Sequence, residues 1–376
     1  MDNLPPVVIP PSEPERRRSN AFRRFWAWLR AKKYRLILSI SAIVLVLGSG
    51  IAAAIILMQP KPAPAKSVTK TVQKKAPPKQ VYYSQLTGIE VADEAAARQP
   101  ATAIMIENSP DARPQSGLKQ AGVVYEAIAE GGITRFLAIY QEAKPQLIGP
   151  VRSLRMYYVD WLAPYNASVA HVGGSAAALT EIRNGSYRDI DQFFNASYYW
   201  RATDRYAPHN VYTSFEKLDA LNSSKGYKES TFVGFTRADG TPNTAPTVTS
   251  IDLTVSSAWY NPHYDYEPAS NTYLRSINGV ASEDREEGRI APSVVIGIKV
   301  NMTRVVEDGY RESIQTTGTG EAVIFQNGTA TPATWSKASR TSQMQFLDAA
   351  GKPIALNRGQ TWITAIPATS GDIKWQ

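Results

Sequence analysis

Residues 36–58 form a run of twenty-three positions without a charged side chain, and nine Lys/Arg residues occupy the twenty positions just before it. At about 1.5 Å per residue a helix of that length spans roughly 34 Å, enough to cross a hydrocarbon core of about 30 Å. A cleaved signal peptide has a shorter apolar stretch ending at a small-residue cleavage site. Here Gly48, Ser49, Gly50 and Ala52 to Ala54 lie inside the run and Ile55 to Met58 follow, which predicts an uncleaved transmembrane helix over 36–58. The basic excess on the amino-terminal side predicts a cytoplasmic tail over 1–35 and an extracytoplasmic carboxyl-terminal part, so the bilayer is the first expected partner. Phe22, Phe25, Trp26 and Trp28 lie among the arginines, as in a segment resting at headgroup level.

The anchor changes the meaning of the charge. The whole chain carries a net +8, but residues 1–80 hold fifteen basic and three acidic groups, leaving a net charge of −4 on residues 81–376. Nucleic-acid binding by the globular part therefore lacks its electrostatic premise and is not expected. With no cysteine, the chain has no disulfide, no thiolate nucleophile and no lipid-modified cysteine. Residues 59–80 combine five prolines and six lysines without an acidic group and read as an extended linker.

Beyond the linker, short apolar runs at 103–106, 121–127, 135–140 and 168–172 predict strands, and 155–162 and 176–183 predict helices. From about residue 231 the pattern turns to strands at 247–255, 293–300, 321–325, 343–347 and 361–366. The fold class expected is α+β: an α/β-type ectodomain over 81–235, then a mainly β one over 247–376, with the boundary in the Gly/Pro-punctuated stretch 236–246.

Candidate chemistry concentrates between Glu126 and Asn210. Arg152 and Arg155, three apart, fit one end of a helix and could present a double fork to an anion, or pair in a buried network with Glu126 or Glu130. Gly173-Gly174-Ser175 follows a strand and opens an Ala-rich helix. That suits a helix cap, a substrate contact at the exposed amides, or an imperfect nucleophile elbow whose second glycine is replaced by Ala177. The three histidines show no metal-ligand spacing, and neither a P-loop nor a dinucleotide fingerprint occurs, so no metal and no cofactor is expected. Eighteen tyrosines lie beyond residue 80, clustered at 157–158, 198–199 and 260–266, and suit either sugar stacking or core packing.

Several motifs occur together: Ala112-Arg113-Pro114-Gln115-Ser116-Gly117-Leu118, Val124-Tyr125-Glu126, Glu130-Gly131-Gly132-Ile133-Thr134-Arg135-Phe136, Gly149-Pro150-Val151-Arg152-Ser153, Gly173-Gly174-Ser175 and Ala207-Pro208-His209-Asn210. With Tyr273-Leu274-Arg275, Gly279, Asp284 and the run Asn357 to Ile363, they make residues 95–376 resemble the YerB-like family of bacterial envelope proteins, built of DUF3048 N- and C-terminal domains. The resemblance implies an α/β part and a β-rich part outside the membrane, and no established reaction. Family members are often lipoproteins, whereas this chain has no cysteine; Glu283 stands where a histidine is expected before Asp284.

The sequence thus predicts a polar cleft lined by Glu126, Glu130, Arg135, Arg152, Arg155, His171, Ser175, Arg205, His209 and Asn210. Its expected ligand is an anionic glycan- or peptide-like component of the envelope, such as a cell-wall polymer or peptidoglycan fragment. The alternatives are a hydrolase or transferase acting on that material, with His209 or Glu130 as base and Ser175 as nucleophile, and a scaffold docking another membrane protein.

Overall fold

The computed structural model describes residues 40–47, 58, 80–184, 186–305 and 311–376. Contacts divide the chain into two compact units, Met1–Pro77 and Pro78–Gln376. In the first, residues 40–47 are helical. Among the described residues no helix is long and apolar enough to cross a membrane. The tail over 1–35, most of the 36–58 run and the linker up to residue 79 lie outside the described residues.

The second unit is built on one ten-stranded sheet. In chain order its strands here are β1 (Thr102–Glu107), β2 (Val123–Glu130), β3 (Ile133–Tyr140), β4 (Ser168–Ala170) and β5 (Arg188–Asp189) from the first half. The second half adds a five-stranded antiparallel sheet, comprising β6 (Ser250–Thr254), β7 (Pro262–Glu267), β8 (Thr272–Ile277), β9 (Val280–Ala281) and a last strand described below. It then returns to the large sheet with β10 (Val294–Val300), β11 (Gly318–Gln326), β12 (Thr329–Lys337), β13 (Gln345–Leu347) and β14 (Thr361–Pro367), and ends in β15 (Asp372–Trp375), which closes the five-stranded sheet against β6. Three helices matter for the core: α1 (Met156–Leu162), α2 (Ala176–Asn184) and α3 (Phe215–Ser224).

The order across the large sheet is β13-β12-β11-β10-β14-β2-β3-β1-β4-β5. Strand β14 runs parallel to β10 on one side and to β2 on the other, pairing Trp362 with Val124 and Thr364 with Glu126. Backbone hydrogen bonds thus join the sequence on either side of the expected 236–246 boundary in one sheet. The reason lies in the strands: β2, β10 and β14 are buried on both faces, so each needs a strand neighbour on either side and a layer above and below.

Alternation sorts the side chains. Met105, Tyr125, Leu137, Ile296 and Ile363 face a core closed by Tyr158, Trp161 and Leu162 of α1 and Ile182 of α2. On the opposite face Ile106, Val124, Phe136 and Tyr140 meet Phe215, Leu218 and Leu221 of α3. Further along that face Val295, Phe325 and Ile366 pack against Ile251, Leu253, Tyr264 and Tyr273 of the small sheet. Helix α3 starts where Ser214 caps it, its side chain accepting from the Lys217 amide. The described residues are mixed α and β with more strand than helix, and both helices expected in the first half are present as α1 and α2.

Candidate functional site

Three segments converge at the end of β1. The Glu107 amide donates to the carbonyl of Pro150 (3.0 Å), the Arg152 amide to Met105 (2.8 Å) and the Val151 amide to Val211 (2.7 Å). Gly149 makes this possible: its φ is +155°, and a Cβ there would meet the Val211 carbonyl and the Tyr212 ring at 2.8 Å. The peptide bonds before Pro114, Pro150 and Pro208 are all cis. The loop before His209 is pinned by Asn210, whose side chain donates to the carbonyls of Ala202 (3.1 Å) and Arg205 (3.3 Å) and accepts from Arg201 (2.8 Å).

At the centre of this junction sits Glu107, 4% exposed. Its Oε1 lies 2.9 Å from His209 Nδ1 and accepts from the Ser109 hydroxyl at 2.9 Å, while Oε2 lies 3.3 Å from Arg152 Nε. A carboxylate only accepts, so the proton of a neutral His209 ring belongs on Nδ1, and Nε2 is left as an acceptor 4.0 Å from Asp111 Oδ2. His209 and Asp111 border a cleft of about 720 Å³ with Arg205, Tyr206 and, from the second half, Arg285. The Arg205 guanidinium donates to the carbonyls of Asp111 and Pro114. Arg285 is set by its amide bond to the Gln115 carbonyl (2.8 Å) and by the neighbouring Asp284, which is buried and accepts from the amides of Lys119, Glu286 and Glu287. It pairs with Asp204, whose hydrogen bond raises the guanidinium's pKa and holds the carboxyl of Asp204 below its ordinary value.

Pro114 also borders a second cavity of about 360 Å³, where Trp259, Ile277 and Val280 provide apolar surface beside Arg113 and Arg275. Trp259 and Val280 are largely exposed. Arg113 donates to the Trp259 carbonyl (2.7 Å) and lies 5.5 Å from the centre of the Tyr260 ring. Burial and the nearby Arg275 charge lower its pKa. A charged cleft and an aromatic shelf thus meet at Pro114.

The other predicted site residues have different places. Glu126, fully buried, accepts from Arg275 (3.0 and 3.1 Å), Trp362 Nε1 (3.0 Å) and Thr134 (3.1 Å), and so ties the two halves together inside the core. Glu130 bridges Arg135 (2.7 Å) and Arg155, which also donate to the carbonyls of Ser153 and Leu154. Burial pushes the Glu130 pKa up, but the two guanidinium charges outweigh it and the net shift is downward. A carboxylate held in that state is a poor base, so Glu130 does not fit the general-base role. Of the two readings of Arg152 and Arg155, the fork is not formed, and Arg155 joins Glu130 as in the network alternative. Residues before α1 are extended, and the two side chains go to different carboxylates, Glu107 and Glu130.

Ser175 accepts weakly from the Ala178 amide at the start of α2, which is the cap reading; no hydrogen bond joins it to a histidine among the described residues. Ser109 touches His209, but at Nδ1, the nitrogen already facing Glu107, so the arrangement lacks the relay of a serine hydrolase. His171 lies apart, fully buried beside Asp189 and Asp191. The tyrosine clusters are mainly structural: the hydroxyls of Tyr157 and Tyr158 donate to the carbonyls of Ile128 and Arg135 at 2.6 Å. Sequence reasoning missed Asp111 and Arg285 at the cleft, and Glu107 buried behind His209. The available signals were the turn after β1, the Arg113-Pro114 motif next to Asp111, and the position of Arg285 directly after Asp284.

Comparison with known proteins defines the class. Residues 86–228 match the family model described as "Protein of unknown function (DUF3048) N-terminal domain", and residues 251–363 match the corresponding C-terminal domain. The chain belongs to this YerB-like family. Among its relatives is the "Putative lipoprotein YerB" of Bacillus subtilis (strain 168), 32% identical over 286 residues, covering 75% of this chain and 85% of the relative. The crystal structure of YerB from Bacillus subtilis matches with a TM-score of 0.70 at 28% identity, covering 78% of this chain and 99% of that one. The two family models leave residues 229–250 between them, and the strands they cover share a sheet.

Proposed function

We propose that this chain is a membrane-anchored, extracytoplasmic protein that binds an anionic glycan- or peptide-like component of the cell envelope in the cleft between His209 and Arg285. The relative's description as a lipoprotein supports an envelope location. In a chain without cysteine, the uncharged 36–58 run supplies an anchor of another kind.

The observation that carries the binding role is Arg205. Its guanidinium is fixed by two backbone carbonyls at the rim of a 720 Å³ cleft and has no carboxylate within ion-pair distance among the described residues. Arg135, Arg152 and Arg155, by contrast, are each matched to a buried or half-buried carboxylate. An oriented guanidinium without a direct carboxylate partner suits a carboxylate or phosphate, and the neighbouring Trp259 shelf suits the apolar face of a sugar ring or side chain.

Titration of the full chain in detergent with purified anionic muropeptides tests this. Saturable binding weakened about tenfold or more by Arg205→Ala and by Arg285→Ala is expected, since a hydrogen bond to a charged group contributes about 1.5–3 kcal/mol. Absence of saturable binding, or indifference to both changes, overturns it. A second reading has its own observation: His209 is oriented by Glu107 at Nδ1 and faces the cleft with Nε2, the arrangement of a general base in a hydrolase or transferase. Turnover lost in His209→Ala with binding retained favours that reading; binding without turnover in the unaltered chain disposes of it.

A further inference from the structure

A second cluster of chemistry lies away from the cleft, at the carboxyl ends of the neighbouring parallel strands β4 and β5. His171 follows β4, Asp189 ends β5 and Asp191 lies two residues on. One ligand atom from each falls within 4.8 Å of the others. His171 and Asp191 are fully buried, and Asp189 is 18% exposed. Solvent reaches the group through a cavity of about 260 Å³ that both aspartates line.

The orientation of the imidazole is decisive. His171 Nδ1 lies 2.8 Å from the carbonyl of Gly173, which can only accept, so Nδ1 carries its hydrogen. The other nitrogen, Nε2, lies 3.1 Å from Asp189 Oδ1. In a neutral ring that nitrogen holds a lone pair, and a lone pair facing a carboxylate oxygen in a buried place is repulsive. A positive centre between them, a proton or a metal ion, removes the conflict, and the hydrogen bond from the far ring nitrogen to a backbone carbonyl is how metal-ligating histidines are held.

Charge counting allows a cation. Two carboxylates balance a divalent ion, and Arg183 is the competing group: its Nη2 lies 2.9 Å from Asp191 Oδ2 and its Nε 4.0 Å from Asp189 Oδ2. Arg183 is more than one-third exposed and rests over the Phe194 ring at 4.9 Å, so it sits at the mouth of the cavity with room to withdraw toward solvent. We infer that His171, Asp189 and Asp191 form a site for a divalent transition metal of the zinc or manganese class, with Arg183 as its displaceable lid. One imidazole and two carboxylates suit these ions, and water completes the coordination.

The test is titration of the metal-stripped full chain in detergent with Zn²⁺ and with Mn²⁺, by calorimetry and by thermal unfolding. Residues 1–80 hold neither histidine nor cysteine, which keeps the background low. One ion per chain is expected, lost in His171→Ala and in Asp191→Asn and retained in His209→Ala and His263→Ala. Saturating ion, at about a hundredfold above Kd, should raise Tm by about 4 °C. Should the first two variants fail to fold, Arg183→Ala decides. Removing the competing guanidinium should tighten ion binding about tenfold or more, and the ion should restore Tm. Failure of the unaltered chain to bind either ion at millimolar concentration, binding that survives His171→Ala, or an Arg183→Ala protein whose Tm ignores the ion would each overturn the site.

Discussion

Arg275→Ala is the perturbation that probes most of the architecture at once. Arg275 belongs to β8 in the small sheet, and its guanidinium reaches the carboxylate of Glu126 in β2 of the large sheet at 3.0 Å with both side chains buried. It also lies 4.7 Å from the Trp362 ring centre and 5.5 Å from that of Phe136. Removing one partner of a buried ion pair costs about 3–5 kcal/mol, because the remaining charge stays buried without compensation. Loss of the cation–π contacts adds about 1 kcal/mol. For about 300 residues the unfolding entropy is about 0.6 kcal/mol/K, so a loss of 4–6 kcal/mol lowers Tm by about 6–10 °C. The assay is calorimetric and urea unfolding of the variant beside Glu126→Gln and the double variant Glu126→Gln/Arg275→Ala. The double variant should cost less than the sum of the singles, because no charge is left uncompensated. Unfolding should stay a single transition, because β14 bonds to β2 on one side and β10 on the other. A loss below about 1 kcal/mol for Arg275→Ala, additive costs in the cycle, or two separated transitions would refute the reasoning.

Further outcomes follow from the same geometry. Glu130 has a folded-state pKa below its ordinary value of 4.5, so its ion pairs contribute stability above that value and lose it as pH falls through the folded pKa. The stability gap between the unaltered chain and Glu130→Gln, read by urea unfolding at pH 7, 5 and 3, should therefore shrink toward acid. His263 lies 2.8 Å from Asp252 and 3.1 Å from Asp265 across the surface of the small sheet. Partial burial works against the charged ring, but the two carboxylates outweigh it and raise its pKa above 6.5. The stabilisation is thus complete below pH 6.5 and lost as pH rises through the folded value. Asp252→Asn should lower the pKa seen by NMR titration of the ring protons. Trp259→Ala should weaken ligand binding by about 1–2 kcal/mol with Tm nearly unchanged, because the ring is largely exposed.

Much of the fold was legible because its strands are buried on two faces. The apolar runs at 103–106, 135–140, 293–300 and 361–366 fall inside β1, β3, β10 and β14 to within a residue or two, since a strand packed above and below carries apolar side chains at consecutive positions. Strand β12 was hidden by the opposite circumstance. It contains Thr329, Thr331, Pro332 and Thr334, half of it faces solvent, and only its long antiparallel register with β11 makes it a strand. Helix α3 carried a readable signal, Ser214 followed by Phe215, Leu218 and Leu221 at helical spacing. The joining of the halves was not readable. That β14 inserts beside β2, more than two hundred residues away, depends on which exposed strand edge is free when it forms, and hydrophobic pattern does not encode the partner.

The arginines show why the site was only half legible. Arg152 and Arg155 were placed together on the premise of a helix, where residues three apart share a face. The helix begins only at Met156 and Arg155 is extended, with φ −126° and ψ 156°, so both arginines precede the helix. There, residues three apart project to opposite sides, and each finds a different glutamate. The fork reading depended on that boundary, whereas the network alternative holds for Arg155 with Glu130 and Arg152 goes to Glu107 instead. The same rule identifies the arginine that remains for a ligand. Along the first half every candidate arginine but one reaches a carboxylate, because a buried or half-buried guanidinium without one is costly. Arg205 escapes that cost by lying on a loop at the cleft rim, where water solvates its charge and two carbonyls hold only its direction. On the proposed reading an anionic ligand would replace that water, and the residues that fix the loop, Asn210 above all, would determine affinity without touching the ligand. Asn210→Ala should consequently weaken anion binding through Arg205 while leaving the Glu107–His209 contact intact, and equal affinity in that variant would sever the link between the loop and the site.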